Sequence, residues 1–172
     1  MTLEQLTKLC GSGSRAAAFL APLNDAMAKY DISNKLRQSA FLGQVMQESG
    51  QLYYVQEIAS GAEYEGRKDL GNTQSGDGMK FKGRGLIQVT GRANYEACSL
   101  ALFGDRRLLD NPELLEAPEY AGISAGWFWD SKGLNALADE KLYKAITRRI
   151  NGGLTAYDQR LAYTKKALAL LC

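Results

Sequence analysis

The chain has 172 residues, of which 45% are apolar and 23% charged, with a formal net charge of +2. That length suits one domain with a sizeable core, and the balance disfavours disordered, collagen-like and coiled-coil chains. There is no histidine, which excludes Ser-His-Asp and Cys-His nucleophile systems, zinc sites of the H-E-x-x-H type, and any imidazole acid or base.

In chain order, Leu3, Leu6 and Leu9 predict a short first helix stopped by Gly11-Ser12-Gly13. Ser14 is expected to cap a second helix running to Tyr30. Ser33 or Asn34 caps a third, on which Leu36, Ala40, Phe41, Leu42, Val45 and Met46 fit a 3.6-residue period, and Gly50 ends it. Six glycines between Gly71 and Gly91 then rule out an ordinary helix. Within that stretch Leu86 to Thr90 reads as a short strand paired with Met79-Lys80-Phe81.

Helix resumes from Arg92 or Ala93 to Leu102. Pro118 suits the first turn of another, with Tyr120, Ile123, Ser124, Trp127 and Phe128 on one face and Trp127 and Trp129 as anchors. A helix from about Lys141 to Ile150 breaks at Asn151-Gly152-Gly153. Thr155-Ala156-Tyr157-Asp158 is a capping-box pattern for the last helix, to about Leu171. The sum is one mainly helical domain over residues 1–172, with a glycine-rich loop or small hairpin at 71–91 and no appended module.

The three cysteines, Cys10, Cys98 and Cys172, are far apart and odd in number, so neither a C-x-x-C metal site nor a full disulfide framework is expected. No apolar run approaches the ~20 residues of a membrane span, so no stable membrane insertion is expected. Residues 141–172 hold seven basic residues and one acid, a net of +6, against −4 for residues 1–140. Such a segment suits an anionic surface, or is a solvated helix face in which Lys165 and Lys166 are free.

Proton chemistry falls to carboxylates, lysines and tyrosines. Glu48 lies three residues after Val45 and seven after Phe41, on the apolar stripe at the C-terminal end of its helix. Apolar neighbours and the negative end of the helix dipole favour the protonated state that a general acid requires. A second carboxylate is needed for hydrolysis. Glu57, nine residues on, is one candidate, with Glu63, Glu65 and Asp69 as rivals that spacing does not separate. The Lys82–Gly91 stretch lacks the Walker and Rossmann patterns. It reads instead as the floor of a site for an extended substrate, with Gln88, Thr90 and Asn94 as polar contacts and Asn151 on a sharp turn beside it.

Phe41-Leu42-Gly43-Gln44-Val45-Met46-Gln47-Glu48-Ser49, the Gly71-Asn72-Thr73 to Gly78 segment, Gly83-Arg84-Gly85-Leu86-Ile87-Gln88-Val89-Thr90-Gly91 and Arg149-Ile150-Asn151-Gly152-Gly153 occur in that order. Together they resemble the family-19 glycoside hydrolases, over about Leu3 to Leu168 and nearest to the single-domain phage endolysins. The resemblance implies a lysozyme-like helical fold with a cleft and a small β element. It implies inverting hydrolysis of β-1,4 links between N-acetylhexosamines, without metal or cofactor. Glu48 matches the general acid, Glu57 most resembles the base, and Thr90 matches the residue that orients the attacking water. Gln88, Asn94 and Asn151 match cleft residues, and Arg160 resembles an arginine near the acid. Gln47 stands where the family often has histidine, and the long loops and disulfides of the plant enzymes are missing.

The expectation is a monomeric peptidoglycan hydrolase of endolysin type, made in the bacterial cytoplasm without a leader and released to the periplasm through a holin-type pore. A chitinase with the same chemistry is the near alternative. A lytic transglycosylase is a rival within wall lysis, and an inactive sugar- or nucleic-acid-binding module is one of another class. No nucleic-acid partner is expected for the enzyme.

Overall fold

A computed structural model describes residues 1–171. Among the described residues ten α-helices are formed: α1 (Leu3–Cys10), α2 (Gly13–Lys29), α3 (Lys35–Glu48), α4 (Asp77–Lys80), α5 (Arg92–Phe103), α6 (Arg107–Asp110), α7 (Pro118–Ser131), α8 (Leu134–Asp139), α9 (Tyr143–Asn151) and α10 (Tyr157–Leu170). Among the described residues no helix is long and apolar enough to cross a membrane.

The caps show how sequence sets these boundaries. Thr2 and Gln5 form a reciprocal capping box on α1, which stops at a left-handed Gly11. Of the two candidates for α3, Asn34 is the cap, accepting from the Arg37 amide. Two expected caps fall elsewhere. Ser12, not Ser14, accepts at the start of α2 because the helix already begins at Gly13. At α10 no side chain caps the helix: Ala156 takes a left-handed conformation, and Thr155 contributes its carbonyl to Arg160 instead. Helix α8, which the sequence reading missed, fills the space after Gly133.

Two apolar cores are present. The larger gathers Leu6, Leu23, Phe41, Leu42, Met46 and Trp129 from α1, α2, α3 and α7, with Ala167 of α10. The smaller holds Phe81, Val89, Tyr95, Cys98, Leu108 and Leu115, with Tyr120 and Trp127 against it. Trp127 and Trp129 are two positions apart, so they leave α7 on different sides. Helix α7 is thus packed on two faces rather than one, and joins the two cores.

Close approach of helices depends on glycine. A β-carbon at Gly122 of α7 would lie 2.7 Å from Pro22 Cβ on α2. One at Gly43 of α3 would lie 2.1 Å from Thr164 Oγ1 and 2.9 Å from the Thr164 amide nitrogen on α10. The α3–α10 contact therefore exists only because position 43 has no side chain.

The glycine-rich stretch departs from the expected hairpin. Met79 and Lys80 lie in the helical turn α4, and no named strand occurs among the described residues. Instead Arg84 forms isolated antiparallel bridges with Gln56 and with Val89. Gly85 at φ +82° and Gln88 at φ +63° reverse the chain within a few residues, so Val89 returns onto Arg84 rather than onto Met79–Phe81. Polar clamps replace the missing ladder. Glu65 accepts from the amides of Gly76 and Gly78, Asn72 bridges the Arg92 amide and the Tyr64 carbonyl, and buried Asp77 pairs with Arg92 at 2.6 Å.

Cys10 and Cys98 are free and buried. Burial pushes the Cys98 thiol up to about 12. Cys172 lies outside the described residues.

Candidate active site

Glu48 is the last residue of α3. Its carboxylate is partly exposed, and below it Arg160 of α10, 3% exposed, donates from one Nη to Glu48 Oε1 at 2.6 Å. The same nitrogen reaches Gln44 Oε1 at 2.7 Å, and Arg160 Nε donates to the Thr155 carbonyl. Gln44 in turn contacts Thr147 of α9. Helices α3, α9 and α10 thus meet under one carboxylate, which is held by a charge-assisted bond from a buried cation. Arg160 lies behind Glu48 and does not line the open groove.

After Glu48 the chain reverses sharply. Gly50, Gln51 and Leu52 all have positive φ, at +56°, +60° and +68°. For the last two this costs roughly 1–3 kcal/mol each. The turn is held by Ser49, whose hydroxyl donates to the Val45 carbonyl and accepts from the Leu52 amide, and by Arg15, which donates to the Gln51 carbonyl. It sends residues 53–57 back alongside residues 83–85. There the amide of Gly85 donates to the Val55 carbonyl, and that of Glu57 to the Gly83 carbonyl. Gly83 N–H then donates to Glu57 Oε2 at 2.6 Å.

Glu48 and Glu57 line one cavity of 390 Å³, with Tyr54, Gln56, Ile58 and Gln88. A neighbouring hollow of 320 Å³ shares Glu48 and Gln88 and adds Tyr64, Arg67, Thr90 and Asn151. The two make a continuous groove across the end of α3. Gly83 forms part of its floor: a β-carbon there would lie 2.7 Å from both Glu57 Oε2 and Gln88 Oε1, and 3.3 Å from Thr90 Oγ1. Three oxygen atoms therefore converge on one small space.

Of the residues singled out from sequence, Glu48, Glu57, Gln88, Thr90 and Asn151 face this groove. Asn94 is exposed and lines neither hollow, its amide donating to the Thr90 carbonyl at 2.8 Å. The rivals of Glu57 are engaged elsewhere: Glu65 clamps the Gly76–Gly78 amides, Asp69 pairs with Arg67, and Glu63 lines neither hollow. Sequence reading missed Tyr64. Burial, and then the charge of Glu57, push its phenol up. It also missed Gln44, which reads as an ordinary polar helix position until α10 is packed against it. Among the described residues no group of three His, Cys, Asp or Glu side chains gathers to hold a metal ion. The arrangement offers a carboxyl group anchored to a buried cation and a second one beside a hydroxyl and an amide. Both open on the groove formed by the two adjoining hollows.

No family model matches the chain. A glycosyl hydrolase family 19 domain-containing protein of Haemophilus influenzae is 36% identical over 104 residues, 60% of this chain and 49% of that protein. An endochitinase of Arabidopsis thaliana is 34% identical over 137 residues, 79% of this chain and 46% of that enzyme. This chain spans about half the length of these relatives. The crystal structure of chitinase C from Streptomyces griseus superposes with a TM-score of 0.79 at 26% identity, covering 99% of this chain and 76% of that one. A class IV family-19 chitinase from Zea mays gives a TM-score of 0.70 at 25% identity, covering 90% and 80%. The helical fold expected from the resemblance is thus the fold observed, and the chain belongs to the family-19 glycoside hydrolases.

Proposed function

We propose that the chain hydrolyses β-1,4 links in N-acetylhexosamine polymers, with peptidoglycan as its substrate. The observation that carries this reading is the single groove holding both Glu48 and Glu57 in a family-19 chain. Glu48 donates its proton to the glycosidic oxygen. Glu57 takes a proton from the attacking water, which Thr90 and Gln88 orient above Gly83. Gln88 and Asn151 hold sugar hydroxyls and amides, and Arg160 fixes the Glu48 carboxyl in place. Attack from the face opposite the leaving group inverts the anomeric centre.

Peptidoglycan is preferred over chitin because basic residues continue beyond the groove, whereas chitin carries no charge. In this reading the enzyme is made in the bacterial cytoplasm and acts on the wall after release, as an endolysin does. The relatives named endochitinases support chitin hydrolysis as a second reading. Digestion of purified peptidoglycan and of a neutral N-acetylglucosamine oligomer, followed by mass spectrometry, tests both. Reducing-end fragments from peptidoglycan are expected, with faster turnover than on the oligomer. Anhydro ends would overturn hydrolysis in favour of a transglycosylase, and cleavage of the neutral oligomer alone would make the enzyme a chitinase.

A further inference from the structure

Helix α9 carries a second concavity. It measures 370 Å³ and is lined by Lys141, Leu142, Tyr143, Lys144, Arg148 and Tyr157, among others. No acidic residue lines it, and among the described residues no carboxylate pairs with Lys141, Lys144 or Arg148. The nearby acid Asp139 is engaged by Arg37. Lys144 Nζ lies 5.7 Å from the centre of the Tyr157 ring. Arg149, one position on, turns the other way and donates to the Lys132 carbonyl.

The position of this hollow matters. Lys144 and Arg148 are four residues apart on one face of α9, and Lys141 lies in the turn that leads into the helix. The next position on that stripe is Asn151, which lines the groove containing Glu48. A polymer leaving the groove past Asn151 meets Arg148 one turn away and then the hollow. Three cations line it together with two tyrosines, and Lys144 lies over the ring of Tyr157.

We propose that this hollow is a binding site for a carboxylate-bearing unit of the same polymer, lying one helical turn beyond the cleft. The inference rests on the glycan reading of the groove and deepens it, because it makes negative charge a basis for choosing substrate. A nucleic acid is disfavoured. The cations are confined to one hollow and do not run along an open face, where a polyanionic backbone would need them.

The test is a pair of measurements on the full chain. In the first, N-acetylmuramic acid and neutral N-acetylglucosamine are titrated by NMR into the wild type, a Lys144→Gln/Arg148→Gln variant and a charge-retaining Lys144→Arg/Arg148→Lys variant. The acidic sugar should shift amides in the first two turns of α9 and bind more tightly than the neutral one. The Gln variant should weaken it about fivefold, from two exposed charge contacts, and the charge-retaining variant should restore most of that. In the second, KM on peptidoglycan should rise severalfold in the Gln variant with kcat unchanged, while the neutral oligomer is turned over as before. Equal binding of the two sugars, wild-type affinity in the Gln variant, or tighter binding of a single-stranded oligonucleotide at the same amides would each overturn the site. If neither polymer is cleaved, the hydrolase reading fails, and the titration still decides the hollow by itself.

Discussion

Glu48 ends a helix whose preceding turns, through Phe41, Leu42, Val45 and Met46, are wholly buried in the larger core. Glu57, across the same groove, lies in an irregular segment that meets the larger core only through half-buried Val55 and is otherwise held by backbone hydrogen bonds to Gly83 and by the clamps of Glu65, Asn72 and Asp77 behind it. One side of the groove is thus positioned by apolar packing and helix geometry. The other is positioned by hydrogen bonds and charge. The first kind of support is insensitive to pH and salt but intolerant of added volume. The second accepts volume more readily but depends on which carboxyls are ionised.

The largest effects should come from the two carboxylates themselves. Glu48→Gln should fold normally and lose at least ~100-fold in lysis rate on outer-membrane-stripped cells, the lower end of a general acid's contribution. Glu57→Gln should be severely impaired as well, while Glu63→Gln and Glu65→Gln keep most activity. Near wild-type lysis by Glu57→Gln would mean that the loop side merely shapes the groove.

A mid-sized effect should follow from adding one methyl group on the packed side. Gly43→Ala forces α10 away from α3 and should cost about 1–3 kcal/mol, read as a lower melting temperature. Activity should fall too, because Arg160 moves with α10. Unchanged melting would show that the Thr164 contact yields freely and that this side is softer than its packing suggests.

The smallest effect belongs to the clamped side. The Arg92 guanidinium holds the Asp77 carboxyl below its ordinary value of 3.8, against the opposing effect of burial. A depressed folded-state pKa contributes stability above the ordinary value and loses it as pH falls through the folded value. The melting advantage of the wild type over Asp77→Asn should therefore be full near neutrality and shrink below about pH 4. A difference that stays constant into acid would assign the effect to shape rather than charge.

The packed side was far more legible in the sequence. The 3.6-residue period of α3 and the Asn34 cap are local features, and they were enough to put Glu48 on the buried stripe. Arg160 was reachable only through the family resemblance, since its contact with Glu48 spans more than a hundred residues. On the clamped side, glycine density announced irregular backbone but not its path. Left-handed Gln88, rather than alternating apolar residues, decides where Val89 returns. Glu65 reads only as a rival of Glu57, and nothing in the spacing of Glu65 or Asp77 shows that they bind backbone amides or a distant arginine. The Thr155–Asp158 pattern misled because a capping box needs an extended residue before the helix, and Ala156 is left-handed.

The placement of Trp127 and Trp129 on opposite sides of α7 has an optical consequence. These are the only two tryptophans in the sequence, and each reports on a different core. Total fluorescence therefore superimposes two signals and hides any difference in when they are lost. With Trp129 replaced by Phe, emission follows the smaller core alone, and with Trp127 replaced it follows the larger. Overlaying the two unfolding curves distinguishes a single cooperative transition from a groove whose clamped wall melts first.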